Sequence, residues 1–185
     1  MEYMKKKWKF MKKESSIVLG DIDSFTYRDL VSLDETKWKD DVEKTFGITD
    51  DEAQKGGWAA TSDNDKWFTY GLIYNKKEIT KNLEKCPNTK KILRKLNTEY
   101  EILVAGFSLL KSKGYIEPHT DIRTDNSKPW HLGLITPECC FLYVDGNIIQ
   151  EEDGKLFTFD DNLIHAAVNN SDNNRIILYL LLRER

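Results

Sequence analysis

Residues 165–183 read HAAVNNSDNNRIILYLLLR, and this stretch decides the fold. A short run of small and β-branched residues is followed by five consecutive polar residues, 170–174, and then by a run rich in Ile, Leu and Tyr. Asn, Asp and Ser favour turns because their side chains bond neighbouring backbone groups, so the pattern predicts two strands and a connection. The simplest register is a hairpin with Asn169 opposite Arg175. Residues an even number apart share one face of a strand, so His165 and Arg175 are then on the same face. Four residues at the rise of a strand separate their backbones by about 13 Å, a gap that two long side chains and a small dicarboxylate fill.

Working upstream, similar β-rich runs occur at 102–109, 131–135, 140–144 and 155–159, separated by turn-forming residues. Asp145-Gly146 is a strong two-residue hairpin signal. Strands at this spacing suggest a sandwich or barrel. The first half is mixed. Ser32 and Glu35 have capping-box spacing and open a predicted helix over 33–46, a second helix is predicted over 89–100, and the aromatic run 66–74 reads as a strand. Gly56, Gly57 and residues 62–65 read as loops. The fold class is therefore α+β, mainly β, with helices packed outside an antiparallel β core.

Composition narrows the functional classes. At 185 residues the chain has room for one domain. Five Trp, eight Tyr and eight Phe exclude disorder over most of its length. The longest apolar run, 176–182, is far short of the roughly 20 residues of a membrane-spanning helix, so stable membrane insertion is not expected. No apolar stretch follows Lys5, Lys6 and Lys7 to complete a secretory signal, and three cysteines without metal or redox spacing fit a cytoplasmic location. The net charge of −3 argues against nucleic acid as a partner. Residues 1–13 concentrate six lysines and read as a basic, flexible arm. Residues 14–185 read as a single domain.

All three histidines, His119, His131 and His165, lie in the β-rich half. His119-Thr120-Asp121 places an imidazole and a carboxylate on one face of an extended segment, where both can grip one ion. Two histidines and one carboxylate on one side of a metal are the arrangement of non-haem Fe(II) oxygenases, and His165 is the natural third ligand. Taken singly, each residue has a plainer reading. Asp121 can cap the polar loop 123–128, His131 can be a core histidine, Ser108 an ordinary strand-end polar residue, and Arg175 a surface cation. Arg175 gains weight from its place beside His165, because a guanidinium fork suits a carboxylate.

The ordered set Ser108, Pro118-His119-Thr120, His131-Leu132-Gly133-Leu134 with Pro137, and Phe159-Asp160-Asp161 leading to His165, Asn169 and Arg175 resembles the aspartyl/asparaginyl β-hydroxylase family over about residues 100–185. Residues 1–99 match no motif of it. The resemblance implies a double-stranded β-helix, the jelly roll also found in cupins, with its core mostly in 100–185. It implies Fe(II) and 2-oxoglutarate as cofactors and O2 as co-substrate, with succinate and CO2 as co-products of C–H hydroxylation. Carried over by position, His119 and His165 are implied as iron ligands, joined here by Asp121. Ser108, His131 and Arg175 are implied as 2-oxoglutarate contacts. Asp160 and Asp161 precede His165 in a predicted turn and read as turn-forming residues or as supports behind the ligands, Asp161 being placed to orient the ligand loop.

Two departures stand out. The animal membrane-bound members of the family have glycine where this chain has Asp121, so this site is more like that of other 2-oxoglutarate oxygenases. The family arginine two residues before the HLGL histidine is Pro129 here, which leaves Lys128 or Arg123 as substitutes. The implied substrate is a small molecule or peptide, foremost the β-carbon of an Asp/Asn-type residue or free amino acid. Trp58, Trp67, Trp130 and Arg123 are candidates for the substrate entrance. Two other readings stand beside the hydroxylase: a cupin-like metal protein or isomerase without 2-oxoglutarate, and a non-catalytic module that binds partners through the basic arm.

Overall fold

The computed structural model describes residues 1–19, 58–60 and 66–185. The predicted helix 33–46 and the loop readings at Gly56, Gly57 and 62–65 lie outside them. Along the chain come α1 (Glu2–Leu19), β1 (Trp58–Ala60), β2 (Trp67–Tyr74), β3 (Lys77–Glu78), α2 (Thr80–Glu84) and α3 (Pro87–Glu99). Then follow β4 (Tyr100–Leu110), β5 (Gly114–His119), β6 (Lys128–Ile135), β7 (Cys140–Val144), β8 (Asn147–Gln150), β9 (Leu156–Thr158), β10 (His165–Asn169) and β11 (Arg175–Glu184). Two antiparallel sheets result. The larger has the order β1-β2-β4-β11-β6-β9, with β3 beside β2, and the smaller has the order β5-β10-β7-β8. This is the expected jelly roll, with helices outside it.

Alternation along the larger sheet explains its two faces. Phe68, Tyr70, Leu72, Phe107, Leu109, Leu132, Leu134, Ile176, Leu178 and Leu180 share one buried core with Met4 and Met11 of α1 and Leu93 and Leu96 of α3. The intervening residues, among them Ser108, His131, Arg175 and Tyr179, line the space towards the smaller sheet. A second cluster there joins Leu110 to Leu142, Val144 and Ala167. The fold thus keeps its main core on one side of the larger sheet and a mixed polar and apolar lining on the other.

Residues 1–13, expected as a flexible arm, instead form most of α1. Met4 and Met11, seven residues apart and so on one helix face, are fully buried, and each such side chain contributes about 1.5–3 kcal/mol. The lysines occupy the remaining faces. Further along α1, the buried Glu14 carboxylate accepts from the backbone N–H groups of Asn88 and Thr89 at 2.8 Å. These are orphan donors at the start of α3, where a negative charge is favoured.

The expected hairpin over 165–175 is not formed. Asn169 lies opposite Cys140 and Gly114, Arg175 lies opposite Leu110, and β10 and β11 belong to different sheets. The buried Asn169 amide is the physical reason. Its Nδ2 donates to the carbonyls of Leu110 and Asn173, and its Oδ1 accepts from Ser171 N–H and Oγ–H, pinning the 170–174 turn as a crossing between sheets. The Asp145-Gly146 turn does join neighbouring strands, β7 and β8, with both residues at positive φ, 43° and 83°.

Gly133 of the HLGL run is a close-approach glycine. A Cβ there would lie 2.0 Å from the Glu152 carbonyl oxygen. Its N–H donates to Lys155 O at 3.0 Å and its carbonyl accepts from Gly154 N–H at 2.8 Å, so residues 151–155 are clamped against β6. Gly133→Ala must push this segment away. The variant is expected to lose about 1–3 kcal/mol or more in urea unfolding, as overpacked sites do. An unchanged midpoint and slope would show that the segment is loosely held.

Candidate active site

All six residues singled out from the sequence, Ser108, His119, Asp121, His131, His165 and Arg175, line one cavity of about 300 Å³ between the sheets. His119 ends β5, His165 opens β10, and the two are register partners with ring centroids 4.2 Å apart. One ligand atom from each of His119, Asp121 and His165 lies within 4.8 Å of the others. Each imidazole is fixed in the same way: Nδ1 sits 2.7 Å from Glu117 O in His119 and 3.0 Å from Leu163 O in His165. A carbonyl only accepts, so Nδ1 carries the proton and Nε2 presents its lone pair, the state a metal needs.

Asp121 reaches this group by a different route from the one the spacing predicts. β5 ends at His119, so strand alternation does not align the pair. Instead Asp121 N–H donates to the Asp161 carbonyl at 2.8 Å, and Arg123 bridges the Asp161 and Asp121 carboxylates, reaching Asp121 Oδ2 at 3.2 Å. Arg123 N–H also donates to Asn162 Oδ1 at 2.8 Å. Burial pushes the Asp161 carboxyl up, and the Arg123 guanidinium opposes that. Asp161 is thus bonded to the segment carrying Asp121, while Asp160 closes the adjacent turn on Asn162.

Two further lining residues, Arg175 and His131, belong to a buried ionic network. Arg175 Nε and Nη2 donate to the two oxygens of Glu151 at 2.6 and 2.5 Å, and Glu151 Oε1 lies 3.0 Å from His131 Nδ1. Burial alone raises the Glu151 carboxyl, yet Arg175 and His131 outweigh it and hold the group at about 2. Burial likewise pushes the His131 imidazole below its ordinary value. Arg175 Nη1 is the one buried side-chain nitrogen or oxygen without a hydrogen-bond partner among the described residues. Trp67 Nε1–H donates to Ser108 Oγ at 3.1 Å, so the serine hydroxyl proton is left to point elsewhere.

Glu151 was not legible as a site residue, whereas Trp67, one of the entrance candidates, does line the cavity. Glu151 opens the acidic run Glu151-Glu152-Asp153, whose composition alone suggests a solvated turn. The other entrance candidates and substitutes divide differently. Pro129 lines the cavity, whereas Arg123 and Lys128 line a neighbouring groove, so neither fills the place of the family arginine. Trp130 packs with the helical layer, and the side chain of Trp58 lies outside the described residues.

Two histidines, a carboxylate and a buried arginine with one unpartnered nitrogen thus line a single cavity of a jelly roll. The sequence profile of aspartyl/asparaginyl beta-hydroxylases matches residues 5–184, and the chain belongs to that family. The human aspartate beta-hydroxylase domain-containing protein 2 is 35% identical over 118 residues, covering 60% of this chain and 31% of that protein. The ornithine lipid ester-linked acyl 2-hydroxylase of Rhizobium tropici is 28% identical over 122 residues, 64% of this chain and 42% of that one. The matched stretch thus covers less than half the length of these curated relatives. In fold it is similar to a 2OG-Fe(II) oxygenase family oxidoreductase from Burkholderia pseudomallei, with a TM-score of 0.52 at 12% identity over 65% of this chain and 69% of that one.

Proposed function

We propose that the chain is an Fe(II)- and 2-oxoglutarate-dependent dioxygenase that hydroxylates an unactivated C–H bond, foremost the β-carbon of an Asp/Asn-type residue in a peptide or a free amino acid. The unpartnered buried Nη1 of Arg175, in the same cavity as the His119, Asp121 and His165 group, carries this reading. A buried donor left unmade costs about 1–3 kcal/mol, and a carboxylate ligand is what satisfies it. The donor set fits the cofactors: two imidazoles and a carboxylate suit iron(II), and the guanidinium and Ser108 hydroxyl suit the far carboxylate of 2-oxoglutarate. Iron bound there supplies, with 2-oxoglutarate and O2, the oxidation that puts a hydroxyl group on carbon and yields succinate and CO2.

The chain's own residues bind, orient and exclude water. His119 and His165 offer Nε2 lone pairs fixed by backbone carbonyls. Asp121 is held by Arg123 through Oδ2, and Oδ1 would be the oxygen available to an ion. Phe159, Ile116, Leu142 and Tyr179 make the remaining wall largely apolar. An acyl chain is a second substrate class, supported by two exposed aliphatic side chains next in sequence to the proposed ligands Asp121 and His165: Ile122 is 85% exposed and Ile164 55%.

The test is anaerobic addition of Fe(II) and then 2-oxoglutarate to purified protein. The expected result is a weak visible charge-transfer band that needs both, followed in air by succinate formation that a matching amino-acid, peptide or acyl substrate stimulates. A protein that binds zinc or manganese yet shows no band and no 2-oxoglutarate consumption would be a cupin-like metal protein instead.

A further inference from the structure

One buried carboxylate touches both Arg175 and His131, which the larger sheet presents to the cavity. Glu151 is 1% exposed and follows β8, where its N–H is anchored on the Cys140 carbonyl at 3.0 Å. Its two oxygens take the Nε and Nη2 edge of Arg175, and one of them also meets His131 Nδ1. A planar guanidinium gripped along one edge cannot rotate, so the free donor it offers is fixed in direction at Nη1. The same contact fixes the ring of His131, with Nδ1 towards Glu151 and Nε2 away from it.

A carboxylate beside an anion site would repel the ligand if it stood alone. Here its charge is compensated by Arg175, in a pair with 1% of each side chain exposed. The cavity therefore receives a carboxylate through directed hydrogen bonds and not through surplus positive charge. Geometry of this kind discriminates by the position of the ligand's far oxygen, and hence by chain length.

We propose that Glu151 is a positioning residue for the dicarboxylate co-substrate, presetting Arg175 Nη1 and the His131 ring for a diacid of 2-oxoglutarate's length. The proposal rests on the reading of this cavity as a 2-oxoglutarate site. Its test is calorimetric binding of 2-oxoglutarate, and of the longer 2-oxoadipate, to Mn(II)-loaded protein without O2. Wild type, Glu151→Ala, Glu151→Gln and Glu151→Asp are compared, with Mn(II) binding measured separately.

Loss of an outer partner typically costs about 10–100-fold, so Glu151→Ala is expected to weaken 2-oxoglutarate binding at least about tenfold. Mn(II) affinity stays unchanged, and the preference for 2-oxoglutarate over 2-oxoadipate shrinks. In turnover the loss falls on KM for 2-oxoglutarate and spares kcat at saturation. Glu151→Asp, which keeps the charge, restores part of the affinity. Should Glu151→Ala fail to fold, the isosteric Glu151→Gln decides, with weakened binding and unchanged Mn(II) affinity expected again. Binding as tight as in wild type, or tighter, in a folded Glu151 variant overturns the proposal. Wild-type protein that takes up Mn(II) but no 2-oxoglutarate overturns the co-substrate reading itself, and Glu151 is then an internal counter-ion only.

Discussion

Replacing His165 by Ala is expected to reduce 2-oxoglutarate turnover to background and to abolish stoichiometric Fe(II) uptake, with the fold retained. His165 is the only one of the proposed ligands that is buried, and its register partner is His119, so it fixes the inner side of the ion's position. Removal of a residue that merely orients a ligand costs about 10–100-fold, so loss of a ligand itself should cost about 1,000-fold or more. Far-ultraviolet circular dichroism and the urea midpoint separate this from unfolding, because the cores carrying stability are on other residues. The check is iron content after anaerobic reconstitution, read beside succinate yield. Asp121→Ala is the informative companion: it removes the exposed third ligand and releases Arg123 to Asp161 alone. If His165→Ala keeps a full complement of iron, the ion is held elsewhere and the site is misassigned.

The cavity residues were legible as an ordered set of motifs resembling one family, whereas strand geometry does not align His119 with Asp121, or His165 with Arg175, as expected. Strand bounds at 140–144 and 165–169 coincide with β7 and β10, since turn residues flank both runs. β5 was missed because its sequence, with Glu117 and Pro118, lacks the apolar content of a strand, and β8 because it has only four residues. The hairpin between β10 and β11 looked sound by pattern, yet one buried amide, Asn169, sends the chain across the sandwich. Pairing partners depend on such tertiary bonds and not on the pattern of either run. Even so, His165 and Arg175 face one cavity, from opposite sheets instead of one. α1 was misread because six lysines dominate its composition, while two methionines a helical repeat apart decide its fate. Glu151 was invisible for the converse reason: an acidic run reads as surface unless its partners are known.

The buried pair of Arg175 and Glu151 separates stability from function. Arg175→Met alone leaves the Glu151 carboxylate buried without its cation, and Glu151→Gln alone leaves the guanidinium; each is expected to cost about 3–5 kcal/mol in urea unfolding. The double variant Arg175→Met/Glu151→Gln removes both charges together. Replacing a buried pair by groups of similar volume is often neutral, so its stability should return to within about 1–2 kcal/mol of wild type. Binding of 2-oxoglutarate should nevertheless be lost, because the Nη1 donor is gone. Acid titration gives an independent reading. Glu151 is held at about 2, below its ordinary 4.5, so its contribution is fully present above about 4.5 and disappears as pH falls towards 2. Wild-type stability should therefore fall in that window, and the double variant should show a shallower slope there, Glu151 no longer being present to take up a proton. Equal slopes, or a double variant no more stable than the weaker single one, would mean that the two side chains are not coupled. A coupled pair that is dispensable for folding yet required for binding would show that its energetic cost is tolerated because of what it holds out to the ligand.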